Sequence, residues 1–366
     1  MTVRVLVDGR SLGGAGAYRG FGRYLRGVLR PLSTRPDLEI VALVQPGVEV
    51  PDGVAGIPVR RWAPGRFADT EHDLRLPFDI RRHRSDLFHS PGHDAPRRCD
   101  RPWVQTLHDV IPLVLDHSDF EGERRRWQKF GERVRHATLV LTDSQHVADE
   151  GIRTLGLDPK RVHVAHLGVD RQFVAPTDGA ARDIDPPYVL LVAEYGPNKG
   201  YDDAFAVAGG LADKGLSHRL KVVGRLAPWV QPTVERLRQS ASHSERIELL
   251  GWVPDDELVS LYQQATSLIV TSRAEGFCLP AVEAMACATP VIAYSNSALT
   301  EVVADGGELV PDGDLAALID AVAALAVDPL RRADAGERAL QRSAAFDWER
   351  CADLHAEVYH AVAADT

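Results

Sequence analysis

The 366-residue chain is expected to form two consecutive doubly wound α/β domains. Three observations lead there. Short apolar runs alternate with longer stretches of helical period along the whole length, the pattern of parallel strands wrapped by crossover helices. That pattern breaks once, at 175–187 (APTDGAARDIDPP), where Pro, Asp, Gly and Ala mark a linker. The length also exceeds the roughly 250–300 residues at which a single hydrophobic core stops growing.

Before the linker, strands are expected at 3–8, 39–44, 86–90, 103–107, 138–142 and 162–166, with helices near 21–33, 119–136 and 145–155. After it, strands are expected at 188–193, 219–223, 246–250, 267–271 and 290–294. Helices follow near 201–213, 230–241, 255–264, 279–287, 314–327 and 329–343, and 348–363 has amphipathic helical spacing. The resulting domains are 1–174 and 188–345, with 346–366 as a closing helix. Ligands of such sheets bind beyond the carboxyl ends of the strands, at the switch point, so two of these domains facing each other would leave one deep cleft.

Apolar residues make up 45% and charged residues 26%, an ordinary globular balance. No run approaches the roughly 20 apolar residues of a membrane span, and no secretory leader is recognised at the start, so a cytoplasmic protein is expected. Cys99, Cys278, Cys287 and Cys351 are widely spaced and fit no zinc pattern, which points to free, reduced thiols. The net charge of −10 argues against nucleic acid as a partner. It is uneven: residues 1–170 carry 26 Lys and Arg against 23 Asp and Glu, the remainder 16 against 29. Clusters at Arg81, Arg82 and Arg84, at Arg97, Arg98 and Arg101, and at Arg124, Arg125, Arg126 and Lys129 read either as solvated faces or as contacts for a phosphorylated acceptor or an anionic membrane face.

The segment with the most specific chemistry is 272–293 (SRAEGFCLPAVEAMACATPVIA), in which Glu275 and Glu283 are separated by seven residues. A strand ends, a Gly-containing turn follows, and a helix starts near Leu279. Backbone N–H groups of Gly276, Phe277 and Cys278 beside that helix start suit a phosphate or a sugar hydroxyl. Carboxylates there accept from vicinal hydroxyls. The competing reading is a helix-start carboxylate and a solvent-facing Glu283. Lys199, in EYGPNKGYDD, falls between a strand and its helix, where a point charge adds to the positive helix end. Gly13, Gly14, Gly16, Gly20 and Gly22 make the first strand-to-helix loop able to approach a ligand closely. His108 ends the strand 103–107, where catalytic groups of such sheets gather, although a lone histidine is more often a satisfied core residue.

The 272–293 segment resembles the signature of the retaining GT-B glycosyltransferases, the family 4 type with an E-x7-E motif that includes bacterial mannosyl- and glucosyltransferases. The resemblance extends over nearly the whole chain and is strongest at 247–302. It implies that Glu275 contacts the donor sugar, that Glu283 holds the ribose, and that Gly276, Phe277, Cys278 and Leu279 give amides to sugar and phosphate. In GWVPDDELVSLYQQA the family similarity places Val253 at the nucleobase edge with Leu258 packed nearby; the bare sequence offers only a turn with Asp255 as an N-cap. Gly20 and Gly22 match the loop facing the donor phosphate. His108 and Asp109 match a His-Asp motif whose His meets the donor sugar, and Ser144 matches a serine near the cleft or is an N-cap. The family expects a basic pair around Lys199, but Glu194 stands where its Arg belongs; Arg225 is the candidate replacement.

By that resemblance, a hexose passes from a GDP- or UDP-linked donor to a saccharide or lipid-linked glycan acceptor, with retention and without a metal or other cofactor. The donor would lie mainly on the second domain and the acceptor on the first. A transferase-inactive relative, epimerase-like or a silent binding module, is the alternative. A nicotinamide oxidoreductase would need a compact G-x-G-x-x-G after the first strand, which the loop does not supply.

Overall fold

The computed structural model describes residues 2–13, 20–59, 68–176 and 185–364. The predicted linker therefore falls largely outside the described residues, as do Gly14 and Gly16. The chain separates into two compact units, Met1–Gly168 with Asp347–Thr366, and Val169–Phe346.

The first unit is a parallel seven-stranded sheet. Its strands are β1 (Val3–Asp8), β2 (Leu38–Val44), β3 (Ala55–Pro58), β4 (Leu87–Ser90), β5 (Trp103–Leu107), β6 (Leu139–Thr142) and β7 (Val162–Val164), in the spatial order β3-β2-β1-β4-β5-β6-β7. Its helices are α1 (Gly20–Ser33), α2 (Ala68–Arg82), α3 (Ile111–Val114), α4 (Arg124–Val134) and α5 (Gln145–Leu155). Central strands β1, β4, β5 and β6 are buried almost throughout, as both faces of a parallel sheet require, with His89, Ser90, Gln105 and Thr106 as buried polar members of β4 and β5. The chain order reverses between β1 and β4, which is the switch point.

The second unit is a parallel six-stranded sheet of β8 (Tyr188–Val192), β9 (Arg219–Val223), β10 (Ile247–Gly251), β11 (Leu268–Val270), β12 (Val291–Tyr294) and β13 (Glu308–Val310), ordered β10-β9-β8-β11-β12-β13. It carries α6 (Tyr201–Asp213), α7 (Gln231–Ser240), α8 (Asp255–Gln264), α9 (Leu279–Ala286), α10 (Leu299–Val302), α11 (Leu315–Val327) and α12 (Pro329–Ser343). Here the switch point lies between β8 and β11.

The last helix, α13 (Trp348–Ala364), belongs to the first unit. Trp348 lies so close to α1 that a Cβ on Gly27 would come within 2.2 Å of its ring. Further along, α13 is tied into the core by a buried chain of hydrogen bonds whose direction is fixed at one end. His355 Nδ1 donates to the Cys351 carbonyl at 2.7 Å, so its Nε2 accepts from Tyr24 Oη at 2.8 Å. Tyr24 then accepts from Thr106 at 2.8 Å, Thr106 from His89 Nε2 at 2.8 Å, and His89 Nδ1 from Tyr359 Oη at 2.7 Å. Every member is satisfied while both imidazoles are neutral, and burial holds His89 well below its ordinary value and His355 at about 4.

Three expectations need correction. Residues 169–174 pack with the second unit rather than the first: Phe173 meets Tyr262 edge-on at 5.9 Å, Gln172 donates to Asp255 at 2.7 Å, and Gln263 donates to the Val174 carbonyl at 2.8 Å. Asp255 does not cap α8. Pro254, extended at φ −67° and ψ 159°, takes the cap position, and Asp255 stands in the first turn, where its charge suits the helix end. The helix expected at 119–136 is shorter, α4 beginning at Arg124 after a single 3-10 turn at Ser118–Phe120.

Candidate active site

Lys199 and Glu275 meet at the switch point of the second unit. The loop after β8 carries Lys199, and the loop after β11 carries Glu275; Lys199 Nζ donates to Glu275 Oε1 at 2.7 Å. These loops are laced together by backbone. Arg273 N donates to the Asn198 carbonyl at 2.7 Å, Asn198 Nδ2 to the Ala274 carbonyl at 2.9 Å, and Thr271 Oγ1 to the Lys199 carbonyl at 3.0 Å. Gly200 makes the approach possible: its φ is +58°, and a Cβ there would stand 2.0 Å from the Thr271 carbonyl oxygen. Lys199 is thereby fixed immediately before the start of α6.

Glu275 is 9% exposed and held from three sides. Besides Lys199, Ser272 Oγ donates to Oε1 at 2.6 Å, and the Glu275 N–H donates to Ser297 Oγ at 2.9 Å. Three residues on, Cys278 adopts φ +80° and ψ 68° and starts α9, with Pro280 in the first turn. The left-handed residue turns the chain sharply into the helix beside Glu275. Burial raises the Cys278 thiol far above its ordinary range, so it serves as a small neutral packing group. Gly276 and Phe277 are buried, Phe277 edge-on to Phe346 at 5.5 Å, while Leu279 is half-buried.

Glu283 is not the solvent-facing residue of the competing reading. It is 4% exposed and accepts from Tyr262 Oη of α8 at 3.0 Å. Val253 and Leu258 are buried beside β10 and on α8, and Leu258 N donates to the Pro254 carbonyl at 2.9 Å. Arg225 follows Gly224, whose Cβ position lies 1.9 Å from the Ala193 carbonyl, so Arg225 leaves β9 beside the start of the Glu194 loop. It is exposed and has no ion pair among the described residues. At this switch point the structure therefore gathers Lys199 and Glu275, with Gly276 to Leu279 leading into α9. Ser272, Ser297, Asn198 and Tyr262 were not singled out from sequence; only Ser272, three residues before Glu275, sat inside the motif.

In the first unit His108 stands after β5, between the ends of β4 and β6. Its Nδ1 lies 2.6 Å from Asp143 Oδ2, and its Nε2 lies 2.8 Å from the Pro91 carbonyl oxygen. The Pro91 carbonyl only accepts, so Nε2 donates to it, while Nδ1 shares a proton with the Asp143 carboxyl, whose own pKa is raised by burial. Burial works to lower the pKa of His108, but the Asp143 carboxylate and its hydrogen bond outweigh that and raise it. Phe21 and Tyr24 of α1 pack edge-on against the ring at 4.8 and 4.7 Å. Gly20 and Gly22 open that helix, Gly20 exposed and Gly22 buried. Ser144 is the N-cap of α5, accepting from Val147 N at 3.2 Å, which takes up the capping half of its reading. Asp109 accepts from Ile111 N at 3.0 Å.

Next to His108 is His93, which sequence did not suggest. It packs on Trp127 at 4.4 Å and on Phe130 at 5.7 Å, burial lowers it to about 4, and its Nε2 is buried without a partner. His93 lines a cavity of about 230 Å³ with Arg125, Arg126 and Lys129. Arg126 pairs with Asp94 at 2.7 Å, whereas Arg125 and Lys129 have no acidic partner among the described residues. No helix among the described residues is long and apolar enough to cross a membrane.

Comparison with known proteins identifies the family. Residues 18–173 match Glycosyltransferase Family 4 and residues 178–342 match Glycosyl transferases group 1. A D-inositol 3-phosphate glycosyltransferase of Catenulispora acidiphila is 34% identical over 308 residues, 78% of this chain and 73% of that protein. The fold is shared with a sucrose-phosphate synthase from Thermosynechococcus elongatus (TM-score 0.82, 20% identity, 100% of both chains). It is also shared with Anabaena HepE in complex with UDP and glucose (TM-score 0.73, 19% identity, 98% of this chain and 100% of that one). The chain thus belongs to the family 4-type glycosyltransferases of GT-B architecture and is a transferase enzyme.

Proposed function

We propose that the enzyme transfers a hexose, with retention of anomeric configuration, from a UDP- or GDP-linked donor to a phosphate-bearing polyol or saccharide acceptor. The observation that carries this reading is the Lys199–Glu275 pair at the switch point, beside the left-handed entry into α9. A cation and a hydroxyl acceptor held 2.7 Å apart match a sugar diphosphate, which offers an anion and vicinal hydroxyls on adjacent groups. Lys199 meets the diphosphate, Glu275 the sugar hydroxyls, and amides at 276–279 the remaining oxygens. Glu283, oriented by Tyr262, takes the ribose, with Val253 and Leu258 toward the base. Arg225 supplies the second cation that Glu194 does not, so that Lys199 and Arg225, rather than a metal, meet the charge.

In the reaction the anomeric C–O bond to the phosphate breaks while the acceptor oxygen bonds to that carbon from the same face. The acceptor proton passes to the departing phosphate oxygen. Charge grows on the diphosphate, where Lys199 is already fixed by the Gly200 turn, so its stabilisation needs no rearrangement. On the acceptor side Arg125 and Lys129 face the cavity beside His93 without acidic partners, which favours an anionic acceptor. The inositol phosphate named for the Catenulispora acidiphila relative has that chemistry. Retention of charge at Arg125 and Lys129 also leaves room for a lipid-linked phosphate as acceptor at a membrane face.

The test is release of nucleoside diphosphate from UDP-glucose and GDP-mannose, with and without inositol 3-phosphate. Turnover of one donor, lost by about 100-fold or more in Lys199→Ala and Glu275→Ala, is expected. Binding without turnover in the wild type would favour a silent nucleotide-sugar module instead.

A further inference from the structure

The first unit holds a second, larger cavity, which shares Arg133 in its wall with the one beside His93. It has a volume of about 440 Å³ and is lined by Arg97, Arg98, Arg101, Arg133 and His136, with Glu132 as the lone carboxylate in its wall. Its floor is set by the beginnings of strands: Trp103 starts β5, Thr138 immediately precedes β6, and Trp103 N donates to Thr138 Oγ1 at 3.1 Å. His108 and Asp143 follow the other ends of those same strands. Five residues of extended chain separate the two ends by roughly 16 Å, so the floor of this cavity lies away from His108, although Arg133 also borders the cavity beside His93.

Its charge is only partly compensated. Arg133 is committed to Asp73, donating from both terminal nitrogens at 2.7 and 2.8 Å. Arg101 donates to the Ser85 carbonyl, and its Nε, without a hydrogen-bond partner, lies 3.9 Å from an Asp100 oxygen. Arg97 and Arg98 are exposed and have no acidic partner among the described residues. Guanidiniums gathered this closely in a chain of net charge −10 repel one another, and the repulsion is relieved when an anion binds among them. Their planar forks suit phosphate oxygens, and 440 Å³ accommodates a phosphorylated small molecule or head group.

We propose that this cavity is a second anion site, which binds a phosphate- or diphosphate-bearing ligand through Arg97, Arg98 and Arg101. The ligand's shared chemistry is a phosphate group, offered either by a soluble metabolite or by an anionic lipid head group.

Two arms separate these sources: calorimetric titration of the full chain with inorganic pyrophosphate, and co-sedimentation with phosphatidylglycerol–phosphatidylcholine vesicles. The double variant Arg97→Gln with Arg98→Gln removes exposed side chains without partners and is expected to fold as the wild type. An Arg30→Gln with Arg350→Gln variant, on exposed positions of α1 and α13, controls for bulk charge. The proposal expects the 97/98 variant to weaken one arm by about tenfold or more, while the control stays near wild type. Loss in the pyrophosphate arm identifies a soluble ligand; loss in the vesicle arm identifies a head group. Wild-type behaviour of the 97/98 variant in both arms, or equal weakening by the control, would overturn the proposal.

Discussion

Replacing Asp143 by Asn tests whether His108 is a doubly donating imidazolium. In the wild type one ring nitrogen lies 2.6 Å from an Asp143 carboxyl oxygen and the other 2.8 Å from a carbonyl, and Asp143 is 3% exposed. Removing one partner of a fully buried ion pair costs about 3–5 kcal/mol when the other charge must remain. His108 can instead shed its proton and keep one hydrogen bond, which lowers the expected loss near pH 6 to about 2–3 kcal/mol. With a urea slope of about 2 kcal/mol/M, the midpoint of the first unit should fall by roughly 1 M. The pH dependence carries the sign. The folded pKa of His108 is raised, so its stabilisation is complete below the ordinary value of 6.5 and is lost as pH rises through the folded value. The gap between wild type and variant should therefore be widest near pH 6 and narrow by pH 9.5. An equal gap at both pH values, or ring nitrogen NMR showing one unprotonated nitrogen at pH 6 in the wild type, would refute the assignment.

Other outcomes follow from neighbouring geometry. Gly200→Ala places a Cβ 2.0 Å from the Thr271 carbonyl in a left-handed residue, so it should unfold or displace the Lys199 loop, with a loss of about 3 kcal/mol or more by thermal denaturation. His355 is neutral in the fold, with its value lowered from 6.5 to about 4. Acidification between those values should therefore remove up to about 3 kcal/mol, and His355→Gln should flatten that part of the stability–pH curve. Tyr262→Phe strips Glu283 of its buried donor, and it should weaken nucleotide-sugar binding about tenfold in a titration while leaving a simple sugar phosphate unaffected.

The two-sheet architecture was legible because buried parallel strands are rich in apolar residues, and β1, β8 and β12 announce themselves in that way. Elements that bury little were missed. Strand β3 is short, mostly exposed and ends in Pro58; β13 has three residues; α2 is highly polar and contains Pro77. The E-x7-E spacing was visible, but the buried state of Glu283 was not, because it depends on Tyr262, 21 residues away on another helix. In the same way His108 could be picked out at a strand end, while its charge state depends on Asp143 and Pro91 from two neighbouring strands. Periodicity reports one element at a time, and these pairings arise only when strands are laid side by side.

The most direct measurement is a crystal structure of the full chain with a non-hydrolysable UDP- or GDP-hexose. Phosphate oxygens within about 3.2 Å of Lys199 Nζ, together with sugar hydroxyls donating to Glu275, are the expected result. A nucleotide bound elsewhere, with the Lys199–Glu275 pair closed and untouched at 2.7 Å, would contradict the account.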